Sequence, residues 1–412
     1  MRLELVTIGT ELLLGHTIDT NAAWIGQALA ERGILLVRRT TVGDDPETIR
    51  TAVAEALART GTVLTTGGLG PTKDDITKHA VAAVLGRRLV FSPAVWEELV
   101  TRYARMGRAL SEANRPQADL PEGAVVLPNP RGTAPGLWIE ADAGCVVMVP
   151  GVPREMRGLM RDEVLPRLMA RTEAATVIRS RTVRTSGIPE SNLAARLQGL
   201  EDELAPVTLA YLPDVTGVDL RLTAWGLPPD EAAARLAAAT RLVQERSGPF
   251  AYGLDQDDLA AGLLHRLRSR GWRLAVVESC TGGLLGGRVT AVPGSSDVFA
   301  GGIVTYDDEA KVRLAGVEAG LIAREGAVSE AVAAALAAGA IRNFRAQVAV
   351  GITGIAGPDG GTEAKPVGTV WFGFVVGEAR WTERFVFPGN RAEIRARSVQ
   401  HALFALWGKL SD

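Results

Sequence analysis

The chain has 412 residues, 47% hydrophobic and 22% charged, with a formal net charge of −2. That length exceeds one ordinary core and predicts two or three domains, while the near-neutral balance gives no global electrostatic case for nucleic acid or an anionic membrane. There is no apolar run of about 18 residues and no signal-peptide pattern, and the two cysteines, Cys145 and Cys280, lie far apart, so a cytoplasmic protein without membrane span or disulfide is expected.

Residues 2–8 alternate as a strand, and the loop Gly9-Thr10-Glu11 follows. Asp19 and Thr20 can cap a helix to Glu31, which Gly33 ends. A strand over 34–42 leads to Asp44-Asp45-Pro46-Glu47, with Pro46 suited to a first helical position. A third strand covers 62–66, and a third helix is expected from about Asp74. This alternation predicts an α/β domain with a doubly wound, mostly parallel sheet and right-handed crossovers. Ligands of such sheets bind beyond the carboxyl ends of the strands. Gly9, Thr10, Glu11, Asp44, Asp45 and the loop from Gly67 to Asp75 would gather there.

That loop lies in TTGGLGPTKDDIT, 65–77. Gly67, Gly68 and Gly70 allow the backbone to approach a phosphate and turn into a helix N-terminus. The glycine spacing and ending of a P-loop are missing. Thr72 and Lys73 share the loop with Asp74 and Asp75, two hard oxygen ligands that suit a divalent metal of unspecified identity; helix capping is the competing role for one of them. Asn114, in 114–117, is a further candidate, and two Pro/Gly-rich loops, 127–136 with Thr133 and 149–156 with Gly151, read as binding loops, with mere turns as the competing reading. The N-terminal domain is placed at 1–170. A small α+β module follows at 171–253, with a helix expected from Pro189 to Leu200 and no catalytic cluster. The last domain, also α/β, spans 254–412.

The stretch RLAVVESCTGGLLGGR, 273–288, reads as a buried strand that breaks at Glu278-Ser279-Cys280-Thr281 into two glycines, Gly282 and Gly283, and a helix. Such a corner offers three candidate nucleophiles and aims unpaired helix N–H groups at an oxyanion. An ordinary packing corner is the competing reading. Only five of the 45 basic residues are lysines, at 73, 78, 311, 365 and 409. Arginine stays protonated near neutral pH, so positions that remain lysine are enriched for special roles. Neither His265 nor His401 sits in a loop motif, which argues against a histidine-centred triad. Tyr306 and Lys311, five apart in YDDEAK, are the better proton-transfer candidates, with the choice of general base between them left open. Thr353 ends another apolar strand and should face the same crevice. Gly354 and Gly357 would bring backbone N–H groups to a phosphate or carboxamide, and Lys365 and Arg391 are phosphate candidates.

These motifs carry a family resemblance. VTIGTELLLGHTIDTN, TTGGLGPTKDDIT, NPRGTAPG and PGVPREM resemble the molybdopterin-binding fold, and more closely the N-terminal domain of the CinA (competence/damage-inducible) family. VESCTGGLLGGRVT, GGIVTYDDEAKVRLAGV, GITGIAGPDGGTEAKPVGTVWFGF and FPGNRAEIRARSV are similar to the CinA C-terminal domain, a nicotinamide mononucleotide deamidase module also called PncC. The middle module stands where that family carries a KH-like domain. The resemblance implies two hydrolytic activities. The C-terminal domain would convert nicotinamide mononucleotide to nicotinate mononucleotide and ammonia, with Ser279 as nucleophile and no cofactor. The N-terminal domain would split ADP-ribose into AMP and ribose 5-phosphate with a divalent metal on Asp74 and Asp75, where Lys73 would neutralise pyrophosphate. Thr281, Gly282 and Gly283 would contact the deamidase substrate. A homodimer is implied, with no membrane or nucleic-acid partner.

Two departures stand out. Asp308 occupies a position often asparagine in the family, and would favour the charged form of Lys311 and make it a poorer base. Asn390 stands where aspartate is usual. Two alternatives remain at this level: a deamidase whose N-terminal domain binds a nucleotide or pterin without turnover, and a scaffold in DNA uptake or repair. Against the scaffold, the middle module lacks the G-x-x-G loop and the aromatic–basic stripe of nucleic-acid binders.

Overall fold

The computed structural model describes residues 1–107, 109–172 and 176–411. The chain forms two compact units, Met1–Arg179 with Ala224–Ala234, and Ser180–Thr223 with Arg235–Asp412.

In the first unit, six strands run in the order Leu35–Val42, Arg2–Ile8, Thr62–Thr66, Gly144–Val149, Gly136–Ala141, Val125–Leu127. The first four are parallel, and the last two join antiparallel. Alternation along Arg2–Ile8 builds both faces. Leu3 and Leu5 pack with Ile25 and Leu29 of the helix Thr20–Ala30 on one side. Val6 and Ile8 pack with Ile49 and Val53 of the helix Pro46–Thr60 on the other. Asp19 and Asp45 cap these helices through the N–H groups of Ala22 and Thr48. The third helix begins at Thr77, not near Asp74. The Asp75 carboxylate accepts from the N–H and hydroxyl of Thr72, so residues 72–75 close a turn of their own and stay in the loop.

In the second unit, Thr208–Asp214 pairs antiparallel with residues 217–223, and Ala251–Leu254 with residues 183–185. The single helix expected at 189–200 is two, Glu190–Arg196 and Leu200–Leu204, separated at Gly199 with φ 80°. A five-stranded sheet follows, in the order Phe299–Val304, Leu274–Glu278, Val348–Gly354, Thr369–Val376, Ala379–Val386. The first three strands are parallel and the last two antiparallel. One face buries Ala275, Val277 and Ala349 against Leu336 and Ala337 of the helix Glu330–Phe344. The other buries Val276, Val350 and Phe372 against the helices Leu259–Arg270 and Arg391–Lys409. Glycine at 351 lets the first helix lie close: a Cβ there would stand 2.5 Å from Ala337 N and 2.6 Å from Ala333 O. Among the described residues no helix is long and apolar enough to cross a membrane.

Candidate functional site

The register of the three parallel strands builds the C-terminal site. Glu278 lies opposite Val304 on one side and Ile352 on the other. Ser279 and Thr305-Tyr306 therefore leave the sheet at the edge where Thr353, still paired with Trp371, nears the end of its strand. Ser279 N–H donates to Ile352 O at 2.9 Å, and Thr305 N–H to Glu278 O at 2.8 Å. Ser279 is buried, with 7% of its surface exposed. Its neighbour Cys280 belongs to the hydrophobic core, and burial pushes its thiol up to about 12. A thiol that stays protonated near neutral pH is a poor nucleophile, which argues against Cys280 in that role. Thr281 is fully buried, and its carbonyl accepts from Arg395 Nη2 at 2.8 Å.

The helix after the corner, Leu284–Thr290, does not offer its N-terminus to a ligand as expected. The Glu278 carboxylate occupies it, with Oε2 accepting from Gly283 and Leu285 N–H at 3.1 and 3.0 Å and Oε1 from Gly286 N–H at 2.8 Å. Gly282 N–H is taken by Ser279 O at 3.0 Å. The backbone donors of Gly282 and Gly283 are thus engaged within the corner, and oxyanion stabilisation from them is withdrawn. The glycines serve geometry instead: both have positive φ, 59° and 91°, which lets the chain wrap around the carboxylate.

Tyr306, Gly357 and Arg391 come together. Arg391 Nη2 donates to the Tyr306 hydroxyl and Nη1 to Gly357 O, both at 2.6 Å. Arg391 and Tyr306 are exposed, so this hydrogen-bonded pair is open to a ligand. Lys311 sits in the first turn of the helix Asp308–Ala315 and is 2% exposed. Its Nζ lies 3.3 Å from Asp307 O and 3.4 Å from Asp308 Oδ1, so the extra carboxylate does reach the lysine. Thr353 is buried and donates its hydroxyl proton to Ala327 O at 2.8 Å, leaving lone pairs to accept. Gly354 packs under Thr369 O and Val370, where a Cβ would crowd both. Lys365 is placed differently from the phosphate role expected of it. Its Nζ donates to Glu325 O and Val328 O at 3.0 and 2.7 Å, so it ties a loop to the main chain. Asn390 caps the helix Arg391–Lys409. Sequence reading missed Glu278 and Arg395; the signal present was a charged residue inside an otherwise apolar strand.

At the carboxyl edge of the first sheet the four parallel strands deliver their loops together. Gly9 N–H donates to Val42 O at 3.0 Å. Thr10 and Asp44 bond reciprocally, N–H to Oδ2 at 2.9 Å and N–H to Oγ1 at 3.1 Å. Glu11 is exposed beside Gly9. Gly67, with φ 106°, donates to Val149 O at 3.1 Å. A Cβ on Gly151 would meet Gly67 Cα at 3.4 Å, so those two loops touch. Thr77 Oγ1 donates to Gly67 O at 3.0 Å and stands where a Cβ of Gly68 would fall. Gly70 leaves room for Asp75. Lys73 and Asp74 are exposed.

Two further expected members have local partners of their own. Asn114 is buried in local bonds, accepting from Ser111 and donating to Tyr103 and Gln117. Thr133 lines a small cleft with Glu98, Arg102 and Asn129. Among the described residues no three His, Cys, Asp or Glu side chains converge as a metal cage. Asp74 and Asp75 carry the hard oxygen donors that could hold a divalent cation here, although Asp75 Oδ2 already accepts from Thr72.

Three family models match the chain. A probable molybdopterin binding domain covers 4–170, the damage-inducible protein CinA KH domain 180–253, and the CinA C-terminal domain 256–410. A CinA-like protein of Gemmatimonas aurantiaca is 53% identical over 407 residues, covering 98% of this chain and 95% of its own. A putative competence-damage inducible protein of Moorella thermoacetica is 42% identical over 410 residues, covering 100% and 99%. A crystal structure of the competence damage-inducible protein A from Klebsiella pneumoniae matches at 38% identity over 37% of this chain and 95% of its own, with a TM-score of 0.36. With motif, domain order and near-full-length identity in agreement, the chain belongs to the CinA family, with a molybdopterin-binding-like N-terminal domain, a KH-like middle domain and a CinA C-terminal domain.

Proposed function

We propose that the C-terminal domain deamidates nicotinamide mononucleotide and that the N-terminal domain hydrolyses ADP-ribose. The observation that carries the first activity is the convergence of Ser279, Tyr306 and Thr353 at one sheet edge, with Arg391 on the tyrosine hydroxyl. Ser279 Oγ attacks the carboxamide carbon and passes its proton to a base, Lys311 or Tyr306. The collapsing intermediate expels ammonia, which takes a proton, and leaves a serine ester. Water then cleaves the ester, giving the nicotinate carboxylate and restoring Ser279. Arg391 supports recognition of the phosphate, since guanidinium groups read phosphate oxygens in pairs. Lys311, held by Asp307 O and Asp308 Oδ1, also suits stabilisation of developing negative charge.

For the second activity, Gly67, Gly68 and Gly70 admit the pyrophosphate close to the backbone, Lys73 neutralises part of its charge, and Thr10 with Asp44 holds the neighbouring loop. A divalent cation on Asp74 and Asp75 would supply further charge neutralisation at the pyrophosphate. The protein is proposed to act as a homodimer. The test is product analysis with nicotinamide mononucleotide and with ADP-ribose, each with and without chelator. Ammonia release that ignores chelator and AMP release that requires metal support the two assignments. Binding of ADP-ribose without AMP would favour an N-terminal domain that only binds.

A further inference from the structure

We infer that Glu278 is a positioning residue for the nucleophile corner: its buried carboxylate holds the following helix by three backbone N–H groups and thereby fixes the direction of the Ser279 side chain. The kinetic part of this inference rests on the deamidase reading; the structural part does not.

Glu278 is 1% exposed. A buried carboxylate is costly unless its oxygens are fully bonded. Here the amides of Gly283, Leu285 and Gly286 supply those bonds. The partial positive charge of the helix end adds to them. A Cβ at Gly286 would stand 3.5 Å from Oε1, so the helix approaches closely. The backbone is fixed as well, through Ser279 N–H on Ile352 O and Thr305 N–H on Glu278 O. Residues 279–282 are therefore a four-residue bridge with both ends anchored. Gly282 N–H on Ser279 O and Arg395 on Thr281 O tighten it further. A bridge so short has little freedom left, and the serine rotates on a rigid base. Successive strand residues face opposite ways, so the carboxylate can hold the corner from behind without touching substrate.

The test compares wild-type protein with Glu278→Gln, which keeps shape but replaces one acceptor by a donor, and with Glu278→Asp, which keeps charge but shortens the reach. Hydrogen exchange of the peptide covering 279–290 reads the clamp directly. The expected result is exchange at least about tenfold faster in Glu278→Gln. In the same preparation, kcat for ammonia release falls at least about tenfold while KM for nicotinamide mononucleotide stays within about twofold, and AMP formation from ADP-ribose is unchanged. If Glu278→Gln does not fold, Glu278→Asp should show the same pattern in smaller degree. Unchanged exchange overturns the clamp. Faster exchange with unchanged kcat overturns the positioning role, and a raised KM at constant kcat would mean that Glu278 contacts substrate instead. If wild-type protein releases no ammonia, the deamidase reading falls while the exchange rates still decide the clamp.

Discussion

At the residue scale, Ser279 and Cys280 illustrate how neighbours with similar chemistry divide. The strand places Ser279 at the sheet edge and packs Cys280 into the core, where its thiol is held up at about 12. Ser279→Ala should lower kcat for ammonia release by at least about a hundredfold, whereas Cys280→Ser should keep turnover and lose only stability. The reverse result, read by ammonia assay and thermal melting, would move the nucleophile. Lys78, one of the few lysines, is buried and donates to Pro116 O. Burial lowers it to about 8 from an ordinary 10.5, against the opposing pull of Asp119 and Asp75. The folded value lies below the unfolded one, so the penalty is complete below pH 8. As pH rises from 8 to 10.5 the unfolded chain keeps its proton longer, and stability increases. Denaturant titrations across that window should show the rise, and Lys78→Met should flatten it.

At the element scale, the helix Glu330–Phe344 and the sheet meet through glycine. Gly351→Ala would drive a methyl into Ala333 O and Ala337 N, and should destabilise by about 1–3 kcal/mol in denaturant unfolding through overpacking. On the other face, Glu383 accepts from Trp381 Nε1 and pairs with His401 Nε2, both at 2.7 Å. The His401 hydrogen bond holds the Glu383 carboxyl below its ordinary 4.5. Its contribution is present above that value and is lost as pH falls through the lower folded one. Glu383→Gln should melt earlier than wild type at pH 7 and converge with it in acid. The corner and the parallel strands were legible because short apolar runs and glycine turns are local signals. The helix starting at Thr77 was not, because the Thr72–Asp75 turn competes with helix capping through the same carboxylate.

At the scale of the whole molecule, two sheets each present a loop-lined edge, and the proposal assigns one reaction to each. The activities should therefore separate. Asp75→Asn is expected to lower AMP formation at least about tenfold while leaving ammonia release unchanged; loss of both, measured on one folded preparation, would refute independent sites.

The sequence by itself determined the class of fold, the order of the domains and the pairing of motifs with a family, because hydrophobic period, turn residues and long motifs are properties of contiguous chain. It also singled out Tyr306, Lys311, Thr353 and Arg391 by residue type and place, and Ser279 among three candidate nucleophiles by the family resemblance. Only the tertiary structure decided which polar groups were already spent. Lys365 is bound to Glu325 and Val328 carbonyls, Asn114 to its own turn, and the helix amides beyond Ser279 to Glu278. Hydrogen bonds over distances of 3–40 residues settle those roles. Their acceptors are main-chain or buried groups whose availability no local pattern encodes.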